Sequence, residues 1–89
     1  MFTFLSEALS ASSTQLAETV SHANSAIGAG LAVVGAGIGI GLIGHGAGLG
    51  IARQPEAVGD IKGNAIVLAA LVEGATFFAI VVGLLFALK

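Results

Sequence analysis

The chain has 89 residues, of which 56% are hydrophobic and only 9% charged, and its formal net charge is −2. So few charges could not keep so much apolar surface in water, which excludes an ordinary soluble domain and predicts a small all-α membrane protein. The slightly acidic balance, without a basic patch or stacking aromatics, argues against a nucleic-acid partner, and the absence of cysteine removes disulfides, thiol nucleophiles and thiolate metal sites.

Residues 1–24 form a polar, Ser-rich stretch. It has neither the positive start of a secretory signal nor the arginines of a typical transit peptide. Phe2, Leu5, Leu9, Leu16 and Val20 recur at helical spacing, with Ser6, Glu7, Ser10 and Ser13 elsewhere around the wheel. Two readings fit: an amphipathic segment that lies at the membrane interface or extends the first span, and a disordered tail.

Residues 25–52 are apolar and read as a first transmembrane helix. Ten of the fourteen glycines lie between Gly28 and Gly50. Each costs a helix about 1 kcal/mol relative to alanine, so close packing must compensate. At about 100° per residue, Gly28, Gly35, Gly39, Gly46 and Gly50 fall on one flank, and Gly30, Gly37, Gly41, Gly44 and Gly48 on nearly the opposite one. Small residues let helices in a membrane approach closely, and two smooth flanks suit identical neighbours on both sides. Repeating one such contact by a fixed rotation closes a homo-oligomeric ring, with Gly35, Gly37, Gly39, Gly41, Gly44, Gly46 and Gly48 at the packing surfaces. A dimer through one flank would leave the other unexplained. Of the bulkier faces, Val34, Ile38, Leu42, His45 and Leu49 share one, and Ala29, Ala36, Ile40, Ile43 and Ala47 share the other; one should meet the second helix and the other the ring interior. His45 reads as a packing or partly solvated residue, with proton relay as the alternative. Gly39 to Gly44 also spells GxGxxG, but inside an apolar span it lacks the strand and helix start that phosphate binding needs.

The loop 53–64 holds the only proline, Pro55, together with Arg53, Glu56, Asp60, Lys62 and two glycines, and reads as the turn of a helical hairpin in water. Apart from Lys89 these are the only basic residues, so the loop is expected on the cytoplasmic, or equivalent matrix or stromal, side and both termini opposite.

Residues 65–89 supply the second span, which carries one carboxylate, Glu73, in an otherwise apolar run from Ala65 to Leu88. That run rises roughly 36 Å as a helix, against about 30 Å of hydrocarbon. An ionised side chain at bilayer centre costs at least about 2.5 to 3.5 kcal/mol. The protonated acid is the cheaper state there, so Glu73 is expected to hold a proton in lipid and release it where water or a cation reaches it. The alternative is a structural acid satisfied by a neighbouring helix.

Three motifs in order, Gly35-Ala-Gly-Ile-Gly-Ile-Gly41, Ala52-Arg-Gln-Pro-Glu56 and Leu71-Val-Glu-Gly74, closely resemble the c subunit of F-type ATP synthases over about residues 25–89. The resemblance implies a ring of identical subunits that rotates in the membrane as ions bind and leave, without ATP chemistry or a cofactor of its own. Glu73 matches the ion-binding carboxylate, and Arg53, Gln54 and Pro55 match the loop that contacts the central-stalk gamma and epsilon subunits. By the same resemblance, an arginine of the stator a subunit would strip the proton from Glu73, and an aqueous half-channel would reload it.

Ion choice follows from the same comparison. Sodium-type c subunits resemble one another in supplying a glutamine on the first helix, a hydroxyl after the carboxylate and a tyrosine five positions beyond it. Ile40, Gly74 and Phe78 occupy those places here, so H+ is the expected ion. Thr76 is the one nearby hydroxyl, expected to bond its own helix backbone rather than a neighbour. The missing side chain at Gly74 leaves room for a water to complete the site, which the sequence does not decide. The absence of a transit peptide tilts the location towards a bacterial inner membrane. The competing function is a structural or pore-forming hairpin in which Glu73 only locks helix packing; a V-type rotor subunit would resemble a doubled, longer hairpin.

Overall fold

The computed structural model describes Met1–Lys89 as two antiparallel helices joined by a tight turn. Helix α1 spans Phe2–Arg53 and helix α2 spans Val58–Ala87. The molecule measures 81 × 16 × 7 Å, the outline of a two-helix rod.

Proline chemistry sets the turn. Pro55 has no N–H to continue a helix, and its ring pushes the preceding residue out of the helical region. Gln54 accordingly sits at φ −133°, ψ 74°. Its N–H still donates to the Gly50 carbonyl at 2.9 Å and so closes α1, while its carbonyl accepts the Ala57 N–H at 3.0 Å. Pro55–Ala57 form a single 3-10 turn. Arg53 in the last turn of α1 and Asp60 in the first turn of α2 each complement the adjacent helix dipole.

This shortens the loop expected at 53–64. Arg53 is still helical, and Val58 to Asn64 belong to α2. Polarity marks where the chain meets water, whereas the backbone reverses only around Gln54 and Pro55. The polar residues Asp60, Lys62 and Asn64 lie on α2, all exposed.

No boundary separates residues 1–24 from the first span. Helix α1 runs through them unbroken, so the segment extends the first helix and is not a disordered tail. Three of its hydroxyls bond the helix backbone: Ser6 Oγ donates to the Thr3 carbonyl, Thr14 Oγ1 to Ser10 and Thr19 Oγ1 to Gln15, each at 2.9 Å. With 52 residues in α1 and 30 in α2, the amino-terminal end of α1 projects about 30 Å past the end of α2 at 1.5 Å per residue.

The helices meet through small residues. Ala36 is the only buried residue, at 8% exposure. A Cβ on Gly50 would stand 3.4 Å from Ile61 Cδ1, one on Gly39 would stand 3.9 Å from Val72 Cγ1, and one on Gly83 would stand 3.6 Å from the Ser25 carbonyl oxygen. These three close approaches mark the seam between the helices from the turn to the far end. Ala29, Ile40, Ile43 and Ala47 line the same face of α1 and are partly covered, while Val34, Ile38, Leu42, His45 and Leu49 on the other face are exposed. The alanine-containing face therefore meets the second helix. Both helices are long and apolar enough to cross a membrane, and a two-helix rod that buries one residue has no core to hold it folded in water.

Candidate functional site

Glu73 follows Val72, the residue that packs on Gly39. A step of about 100° carries its side chain off the hairpin seam and onto one flank, where it is exposed on the single chain. There it shares a hollow of about 350 Å³ with Val33, Ala36, Gly37 and Ile40 of α1 and with Thr76, Phe77 and Ile80 of α2. The α2 members stand three, four and seven residues beyond Glu73, the spacing of one helix face. The α1 members are brought in by the antiparallel register.

Of the expected neighbours, the structure gathers Ile40 and Thr76 around Glu73 and leaves out Gly74 and Phe78. Gly74 is exposed with nothing within 4 Å of a built Cβ. Phe78 is 73% exposed and belongs, with Leu71, to the outward side of α2. Val33, Gly37, Phe77 and Ile80 lie outside that expectation. The three-and-four spacing from Glu73 could have indicated Phe77 and Ile80, but Val33 and Gly37 depend on the register between helices.

Thr76 and Glu73 are the only polar side chains in the hollow. Thr76 Oγ1 donates to the Val72 carbonyl at 2.7 Å. The hollow offers a carboxyl group, one hydroxyl and otherwise hydrocarbon. Such a set can hold a proton on the acid.

Among the glycines expected to pack the ring, Gly39 is set apart because it faces Val72 within the hairpin. A Cβ on Gly35, Gly37, Gly41, Gly44, Gly46 or Gly48 would meet nothing within 4 Å. Gly37 lines the Glu73 hollow and Gly44 and Gly48 the groove below it with Lys62 and Ile66; Gly46 lines the opposite flank with Asn64 and Leu68. Arg53, Gln54 and Pro55 are all exposed at the tip of the hairpin, and His45 is exposed on the face of α1 turned away from α2.

The family model for the c subunit of ATP synthase matches residues 25–86. The chain belongs to this family. An ATP synthase c subunit from Bacteroides thetaiotaomicron is 59% identical over 72 residues, 81% of this chain and 85% of the relative. Shorter matches join it to proteins of the same designation: one from Azobacteroides pseudotrichonymphae, 68% identical over 31 residues, 35% of this chain and 38% of the relative; and one from Phocaeicola vulgatus, 65% identical over 34 residues, 38% of this chain and 40% of the relative. The helical hairpin with two apolar spans is thus that of a non-catalytic membrane component of the ATP synthase complex.

Proposed function

We propose that the chain forms the rotor ring of the synthase and carries protons on Glu73, so that proton flow through the membrane turns the ring and drives ATP synthesis. The observation that carries this reading is the position of Glu73. It is the sole acid of the span from Ala65 to Leu88, and it stands on a flank of the hairpin beside Gly37 with no cationic side chain in its hollow. An acid placed there is in hydrocarbon unless a partner reaches it, and its neutral form is the one of lower energy.

The glycines support the ring. Eight of the ten between Gly28 and Gly50 have nothing within 4 Å of a built Cβ, the exceptions being Gly39 and Gly50. Each forgoes about 1 kcal/mol of helix stability, with no compensating contact inside the hairpin. A second copy against each flank supplies the missing contact, because closely approaching backbones gain dispersion that bulky side chains would prevent. The exposed face of α1, with Ile38, Leu42 and His45, then lines the ring interior, and α2 faces lipid through Leu71 and Phe78.

The remaining partners follow from exposure and charge. Arg53, Gln54 and Pro55 at the tip form the contact for the central-stalk gamma and epsilon subunits. The stator a subunit meets Glu73 with its arginine, whose positive charge favours release of the proton. The basic residues Arg53 and Lys62 support a cytoplasmic tip in a bacterium, with both termini on the opposite side of the inner membrane. The transported ion is H+, since the hollow holds a single hydroxyl beside the acid.

The test is Glu73→Gln in the reconstituted synthase. Glutamine keeps the shape and some hydrogen bonding but cannot ionise. The ring should assemble at normal yield and proton-driven ATP synthesis should vanish. If synthesis persists, Glu73 is a packing residue and the proton-carrier reading is wrong.

A further inference from the structure

We infer that the Thr76 hydroxyl is the acceptor that holds the proton of Glu73 in place while the acid crosses the membrane, a role that rests on the proton-carrier reading above. A neutral carboxyl group is a hydrogen-bond donor as well as an acceptor. In hydrocarbon an O–H without an acceptor is left with its full desolvation penalty, so a carrier that stays neutral across the lipid needs an acceptor beside it. Thr76 is the only other polar side chain in the hollow.

Its orientation suits the task. Side chains on a helix lean towards the preceding turn, so the hydroxyl of Thr76 lies over the turn that carries Val72 and Glu73. The bond from Thr76 Oγ1 to the Val72 carbonyl, at 2.7 Å, commits the one hydroxyl proton elsewhere. What remains on Oγ1 is acceptor capacity alone. The same backbone bond made by Thr14, Thr19 and Ser25 occurs at exposed positions, whereas at Thr76 it is part-buried. There the oxygen shares a hollow with an acid.

Thr76 is therefore a positioning residue, and its effect is read on Glu73. The experiment uses whole synthase in liposomes and measures the rate at which dicyclohexylcarbodiimide, which reacts with a protonated, lipid-accessible carboxyl, labels Glu73 in native, Thr76→Val, Thr76→Ala and Thr76→Ser rings. Removing the acceptor frees the acid proton for the reagent, so Thr76→Val should label about fivefold faster, the factor that corresponds to one ordinary hydrogen bond. Thr76→Ser, which keeps the hydroxyl, should label close to the native rate. Equal rates in all four rings would overturn the assignment and place the proton on a backbone carbonyl. Should Thr76→Val fail to assemble, Thr76→Ala removes the hydroxyl without adding bulk and decides the question on the same scale. Failure of the carrier reading itself shows differently, as proton-driven synthesis that survives Glu73→Gln.

Discussion

Val72 stands across the hairpin from Gly39, its Cγ1 3.9 Å from the point a Cβ on that glycine would occupy. The contact pins α2 against α1 one residue before Glu73, so it sets the flank on which the acid emerges. A distance of 3.9 Å is ordinary van der Waals contact. Gly39→Ala should therefore be neutral or slightly favourable, with alanine recovering up to about 1 kcal/mol of helix propensity. Gly39→Leu should instead force the helices apart at this level and lower both ring yield and ATP synthesis. Ring recovery on native gels, with synthesis by the recovered fraction, checks both arms.

Flank glycines should behave in the opposite manner. Gly44 has open space within its own chain, so Gly44→Leu should leave the hairpin helical by circular dichroism while abolishing the ring in native mass spectrometry. A fully assembled Gly44→Leu ring would show that this flank faces no second copy.

Sodium should not compete with the proton. Carbodiimide labelling of the assembled ring is expected at Glu73 alone, undiminished by added sodium, because the hollow contributes only one hydroxyl beside the acid. Protection by sodium would reverse the assignment of the ion.

At the tip, Pro55→Ala restores an N–H and relieves the restriction on Gln54. The turn should loosen and become more sensitive to protease, with ring melting lowered by a few degrees. Arg53→Ala should leave the ring intact, since Arg53 is exposed, and weaken its attachment to the stalk. Co-purification of the gamma and epsilon subunits measures the second effect.

The overhang of α1 should be dispensable in part. Leu16, Val20 and Ser25 line a groove with Gly83 and Phe86 of α2, whereas the residues before Leu16 lie past the end of that groove. Deleting residues 2–14 is expected to spare hairpin and ring, and deleting 2–24 should destabilise the ring by removing the wall against Phe86. Thermal melting of the two truncated rings would separate these outcomes.

Much of this molecule is legible without coordinates, because hydrocarbon imposes strict terms on a sequence. Two long apolar runs around Pro55 had to be helices, since a spanning backbone must satisfy its own hydrogen bonds. One acid in an apolar run stands out as the chemically active position, since charge there is costly. Local chemistry of this kind needs no knowledge of what lies across the seam. The tertiary structure decided everything that depends on register and rotation between the helices. It chose the alanine-containing face of α1 for the seam, set Gly39 against Val72, carried α2 back to Val58, and placed Thr76 with Val33 and Gly37 around Glu73 while leaving Gly74 and Phe78 outside. Those outcomes turn on a single residue step of about 100° around each helix axis. Hydrophobicity cannot resolve that step when nearly every side of both helices is apolar; packing of small residues against one another resolves it.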